Sequence, residues 1–424
     1  MKTRYVGLVL AAAHLFSASV QAQTVDDAIS AALLESPALD RADANIKAAR
    51  EDVSQARAAY LPEVSFSASA SSARRDARLR DSANFSETSE PTSASVRASQ
   101  SLYTNGLRTL AQRQATNGVR ARHHERDATE LNVALQVDEA MVQLKLARKS
   151  EALDHRLQAL VQEQVRAEEE RYRLETGTRT NVVQARARLA AAEATITTSA
   201  IGVQQAELQL SLLTGFAPED LDPLVATPAE LPSSLDEARL LARETSPDIA
   251  LARSSYTSAR LGVAAAARRY GPQVGLSLEA SSARTPSPAI ERDDDLRATL
   301  TFSMPLFNGG RGSSERRQAY AQRNAAAADV RQADKDLERH TTDIWVRLTG
   351  ADARIAALMI RVEAADEALE GVRRGQDAGL WSVTDILDAM QERIEAEKAL
   401  EQAQAERILS AYELSMLCDL YRLP

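Results

Sequence analysis

Asp385 and Asp388, in the stretch SVTDILDAM, are three residues apart, a spacing that sets two carboxylates on one helical face. Carboxylates so placed attract cations and repel one another. Ser382 stands three residues before Asp385, so the same acid also fits the N-terminal cap of a helix. The two roles are compatible. Other reactive residue types are scattered. His123, His124, His155 and His340 lie on polar helical stretches without a partner at metal-ligand spacing. FNGGRG lacks the GK[ST] ending of a phosphate loop and reads as a turn. Cys418 is the single cysteine, which excludes an intrachain disulfide, and LSMLCDLY suggests a buried thiol. Glu168, Glu169 and Glu170 read as a solvated face. Arg74, Arg75, Arg78 and Arg80 could meet lipid phosphates or simply belong to a wet loop. Nothing pairs a nucleophile with a base, so no enzyme, cofactor or metal is expected.

The elements that carry the two acids follow from periodicity. Val25 to Ala59 has helical spacing, interrupted at Ser36-Pro37. Val64, Phe66, Ala68 and Ala70 then alternate with serines, and Ala94, Val96 and Ala98 alternate with Ser95, Arg97 and Ser99. These mark strands at about 63–72 and 93–102, with residues 73–91 as a polar loop. A proline-free helix follows from Leu107 to Glu175, some 100 Å long at 1.5 Å per residue. Gly177 and Asn181 mark a turn, and a second helix runs from Val182 to Leu213.

The pattern then repeats. Tyr60-Leu61-Pro62 matches Tyr270-Gly271-Pro272 at an offset of 210, while Leu102-Tyr103 matches Leu306-Phe307 at 204. The change falls between the paired strands, where a loop tip can lose residues without disturbing the scaffold. The expected organisation is a signal peptide at 1–22, a first repeat at 23–215 with its coiled coil at about 107–213, and a Pro-rich linker at 216–233. A second repeat covers 234–424, with strands at about 273–281 and 296–304 and a coiled coil at about 309–418.

Lys2 and Arg4 before the apolar run Val6 to Phe16, with Val20 and Ala22 at a cleavage site, read as a secretory signal. No later apolar run is long enough for a membrane helix. No cysteine follows the signal region to take a lipid anchor. Net charge is −9, or −11 once Lys2 and Arg4 are removed, and no basic run invites nucleic acid. Aromatics make up 4% of the chain, as suits long, thin helix packing rather than a thick core. Strands of about nine residues suit a bilayer, but four cannot close a barrel, and lipid forbids open edges. Several chains must therefore share one barrel, and three would supply twelve strands. Tyr60, Tyr103, Tyr270 and Phe307 all fall at the helix end of the strands, as an aromatic belt would require.

These features together, with YLPEVSFS and YGPQVGLS before strands, MPLFNGGR after one, and GTRTNVVQARARL and AGLWSVTDILDA at the helix turns, resemble the TolC-like outer-membrane channel family. The resemblance implies a mainly α fold with a membrane β-barrel, built from duplicated helix–strand–strand–helix–helix halves. It implies a homotrimer with a twelve-stranded barrel in the outer membrane of a Gram-negative bacterium and a long periplasmic α-helical barrel. Export would run with a periplasmic adaptor (membrane fusion) protein and an inner-membrane transporter, for drugs or for a secreted protein. GTRT followed by alternating Ala and Arg leans to the secretion subgroup.

The offset of 204 sets Thr180 and Asn181 opposite Thr384 and Asp385, and Gln184 opposite Asp388. By resemblance the two acids match the rings at the periplasmic constriction. The chain departs from the family pattern with Trp381, Gln376 and Asn181, which leaves Arg179 as the local cation to pair across coils. A periplasmic coiled-coil adaptor or scaffold without a pore is the alternative, and four bilayer-length strands argue against it. A surface adhesin would want a passenger domain, for which no segment is evident.

Overall fold

The computed structural model describes residues 25–77, 85–216, 228, 230–287, 290–377 and 380–421. The expected signal peptide, most of the Pro-rich linker, Arg78 and Arg80 lie outside the described residues.

The duplication is carried into matched elements. Helices α1 (Val25–Glu35), α2 (Pro37–Ala58), α3 (Leu107–Arg173) and α4 (Arg179–Thr214) form the first half. Helices α5 (Leu235–Thr245), α6 (Pro247–Arg268), α7 (Arg311–Asp377) and α8 (Val383–Leu417) form the second. Both long helices have 67 residues, so each spans roughly 100 Å. The breaks at Ser36-Pro37 and Ser246-Pro247 are built alike. Each serine caps the following helix from its side chain, and proline sits at the first helical position, where no N–H is needed. Short helices lie end to end along each long one: α1 and α2 along the upper part of α3, α4 along its lower part. Gly215, at φ 72°, closes α4 in the left-handed region, where a side chain would also run into the Glu35 carboxylate.

Strands β1 (Glu63–Ala70), β4 (Thr92–Tyr103), β5 (Gln273–Ser287) and β6 (Ile290–Ser303) make one antiparallel sheet in the order β1-β4-β5-β6. The residues read as a loop at 73–91 instead contain a two-stranded ribbon, β2 (Ala73–Ala77) with β3 (Phe85–Ser89). It continues the β1–β4 register: Ala70 pairs with Thr92, and Ala73 with Ser89. Likewise β5 and β6 run several residues past the expected ends at 281 and 296. Both corrections have one cause. Backbone pairing keeps a ladder without the alternation that a buried face imposes, and the residues at these tips are mostly polar.

Register gives the sheet two unlike faces, because directly paired residues project to the same side. One rung holds Phe66, Val96, Ala280 and Leu296, and the neighbouring one Val64, Ala98, Leu278 and Ala298. The opposite face is polar. Ser67 bonds Ser95 at 2.9 Å, Ser69 bonds Ser93 at 2.8 Å, and Arg97 pairs with Glu279 at 2.9 Å. Phe66 is 70% exposed and Leu296 84%, so in a single chain the apolar face is uncovered.

The largest buried cluster lies where α1, α3, α4 and α8 meet, around Ile29, Val137, Met141, Leu210, Tyr412 and Met416. Asp138 is 2% exposed inside it, and neither carboxylate oxygen has a hydrogen-bond partner among the described residues. Burial, reinforced by the Asp26 carboxylate, pushes Asp138 up to about 8. Tyr412 flanks it, and the Tyr421 hydroxyl donates to Asp26. Cys418 is buried, as expected, with its thiol pushed up to about 11 by desolvation.

Candidate functional site

The four long and lower helices turn at one end, far along α3 and α7 from the sheet. Val161 and Val165 of α3, Ala185 of α4, Leu369 of α7, and Ile386, Leu387 and Met390 of α8 pack there as a small core. Both returning helices start on a hydroxyl cap. Thr178 accepts from the Asn181 N–H at 3.2 Å, and its hydroxyl donates to Asn181 Oδ1 at 2.9 Å. Ser382 and Asp385 form a reciprocal box: Asp385 N–H donates to Ser382 Oγ at 3.3 Å, and Ser382 N–H donates to Asp385 Oδ2 at 2.8 Å. The Ser382 hydroxyl also donates to that oxygen, and these bonds hold Asp385 below the usual carboxylate range.

Asp388 points elsewhere. Its Oδ1 accepts from Arg188 Nη2 of α4, and Arg188 Nη1 donates to Gln391 Oε1 at 3.1 Å. Thr384 meets Gln184, with 3.5 Å between Oγ1 and Oε1. The structure therefore brings Thr384 and Asp388 against α4, while Asp385 serves its own cap. Arg179, the expected cation, is exposed and makes no ion pair among the described residues; Arg188 fills that role. Arg188 sits about two and a half turns into α4, where its register with α8 is settled only by packing.

Glu168 corrects the solvated-face reading. It is 1% exposed, and its Oε1 accepts from Arg171 Nη1 at 2.6 Å, Gln164 Nε2 at 2.9 Å and Gln376 Nε2 at 3.1 Å. Its Oε2 accepts from Asn181 Nδ2 at 3.5 Å. One buried carboxylate thus ties α3, the start of α4 and the end of α7. Glu169 and Glu170 do face solvent, paired with Arg186 and Arg173. Leaving a buried acid short of its hydrogen-bond donors costs about 1–3 kcal/mol for each one lost. A Gln164→Leu, Gln376→Leu double variant is accordingly expected to unfold the tip first, seen as faster amide exchange at residues 160–190 than in the strands.

Tyr60, Tyr103, Tyr270 and Phe307 cluster at the other end, where strands meet helices. The Arg108 guanidinium stacks 4.6 Å from the Tyr60 ring centroid, and the Tyr60 hydroxyl bonds Thr109 at 3.1 Å. The Tyr270 hydroxyl donates to Glu315 at 2.9 Å, and Tyr103 donates to Asn105 at 3.4 Å. Phe307 is 89% exposed.

A two-faced antiparallel sheet carried on a duplicated set of very long helices is the architecture of an outer-membrane channel protein. The chain belongs to the outer membrane efflux protein family, whose model matches residues 28–216 and 240–417. It is similar to the outer membrane efflux protein BepC of Brucella suis, 26% identical over 96% of this chain and 89% of that one. The outer membrane protein TolC of Vibrio cholerae is 24% identical over 96% and 93%. Among solved structures, the CusC channel superposes with a TM-score of 0.79 at 19% identity, over 93% of this chain and 91% of that one.

Proposed function

We propose that this chain is the outer-membrane component of a tripartite export system, working as a homotrimeric passive conduit and carrying out no catalytic step. The sheet edges support this reading most directly. β1 and β6 are the outermost strands of a sheet whose apolar face is uncovered. The helix edges continue them: β1 follows α2, β6 precedes α7, and α4 and α7 flank the lower layer. Three copies joining β6 to β1 close twelve strands, with the apolar face on lipid and the polar face on the lumen. Tyr60, Tyr103, Tyr270 and Phe307 then form the periplasmic aromatic belt. The helices cross the periplasm, and their tips meet a periplasmic adaptor and an inner-membrane transporter.

The tip is the gate of this conduit. Asp385 and Asp388 ring the mouth, with Thr384, Asn181 and Arg179 beside them; Arg188 restrains Asp388, and the Glu168 hub restrains the α3–α7 seam. The test is conductance of the purified protein in a planar bilayer, with its mass in detergent. A trimer that passes current is expected; a water-soluble monomer that passes none would sink the proposal. Cysteines at 385 or 388, the native thiol being buried, should crosslink between copies and block that current. Arg188→Gln should raise it.

A further inference from the structure

On the polar face of the four-stranded sheet, Arg97 and Arg297 are the only basic side chains among the described residues. Register sets them on one rung, with Arg97 opposite Glu279 and Glu279 opposite Arg297. Arg97 Nη2 lies 2.9 Å from Glu279 Oε2, and Arg297 Nη2 lies 3.3 Å from Asp295. The rung toward the helices holds Glu63, Ser99, Ser277 and Thr299, and the one outward holds Ser67, Ser95, Ser281 and Asp295. Asp293 follows on the same face. A net positive rung is therefore bracketed by acidic ones.

We infer that the Arg97–Glu279–Arg297 rung is a charge-selective belt in the barrel lumen, setting which sign of small solute passes most easily. The inference rests on the trimeric channel reading, which turns this face inward. Twelve strands about 4.8 Å apart and tilted about 40° enclose roughly 24 Å of lumen between backbones. Side chains narrow that further, so the axis lies close to one Debye length, about 8 Å at physiological salt, from the charged groups. Wall charges at that range bias ions without blocking them. Each arginine neutralises a carboxylate, so its removal exposes an acid as well as deleting a cation. Repeated in three copies, one such change alters the cation-to-anion permeability ratio about two- to threefold.

The test is the reversal potential of single channels in a potassium chloride gradient across a planar bilayer. Arg97→Gln should move selectivity toward cations, Glu279→Gln toward anions, and the double variant should return to the wild-type value. Channels that conduct with an unchanged reversal potential in both single variants would overturn the belt and leave the channel reading standing. Absence of current from the wild-type protein would overturn the channel reading and the belt together.

Discussion

Asp138→Asn will flatten the dependence of stability on pH between about 4 and about 8, and will stabilise the protein at the upper end of that window. In the folded chain Asp138 is buried without a partner and pushed up to about 8, against 3.8 for the free side chain. The folded state therefore keeps a proton that the unfolded chain releases across this window. Stability is fully present below pH 4, falls as pH rises toward 8, and is level above it. A shift of that size corresponds to roughly 6 kcal/mol per chain as an upper bound, at about 1.4 kcal/mol per unit. Asp385 acts with the opposite sign: its lowered value contributes stability above pH 4 that is lost on acidification. The two effects do not overlap. Thermal midpoints measured from pH 4 to pH 9 will show a falling limb in the parent that is missing in the variant. Equal slopes would mean that Asp138 is ionised and hydrated in the fold.

Leu300→Arg will prevent stable assembly in the outer membrane, whereas Thr299→Arg will not. The two residues are adjacent on β6 but project to opposite faces. Leu300 pairs with Leu276 on the apolar side, and Thr299 pairs with Ser277 on the polar side. An arginine near the bilayer midplane costs about 2–4 kcal/mol on a barrel's lipid face. Three copies multiply that cost, while the lumen keeps the same charge hydrated. The amount of folded trimer in outer-membrane fractions, compared by electrophoresis with and without heating, reads the difference. Equal loss in both variants would contradict the assignment of faces.

Much of this architecture is legible in the amino-acid sequence, for a definite reason. Duplication leaves matched landmarks such as Ser36-Pro37 and Ser246-Pro247, and a strand with one apolar and one polar face writes its alternation into Val64, Phe66, Ala68 and Ala70. The ribbon at 73–89 escaped because its sequence, polar and charged at most positions, shows no apolar alternation. Glu168 escaped because burial of one carboxylate in an acidic triplet depends on donors from other helices, Gln376 lying 208 residues away. Arg188 and Asp388 are 200 residues apart, and no local pattern couples them. Asp138 did leave a mark. A lone acid stands between Val133, Val137, Met141 and Leu144, on the stripe that packs inward.

Helices α3 and α7 run the full distance from sheet to tip without a proline, while every other helix stops near the middle. Mechanically they are the struts and the rest are splints. A force applied at the tip has an unbroken covalent path to the sheet only along those two rods, whereas along the shorter helices it must cross a serine–proline break or a packed contact.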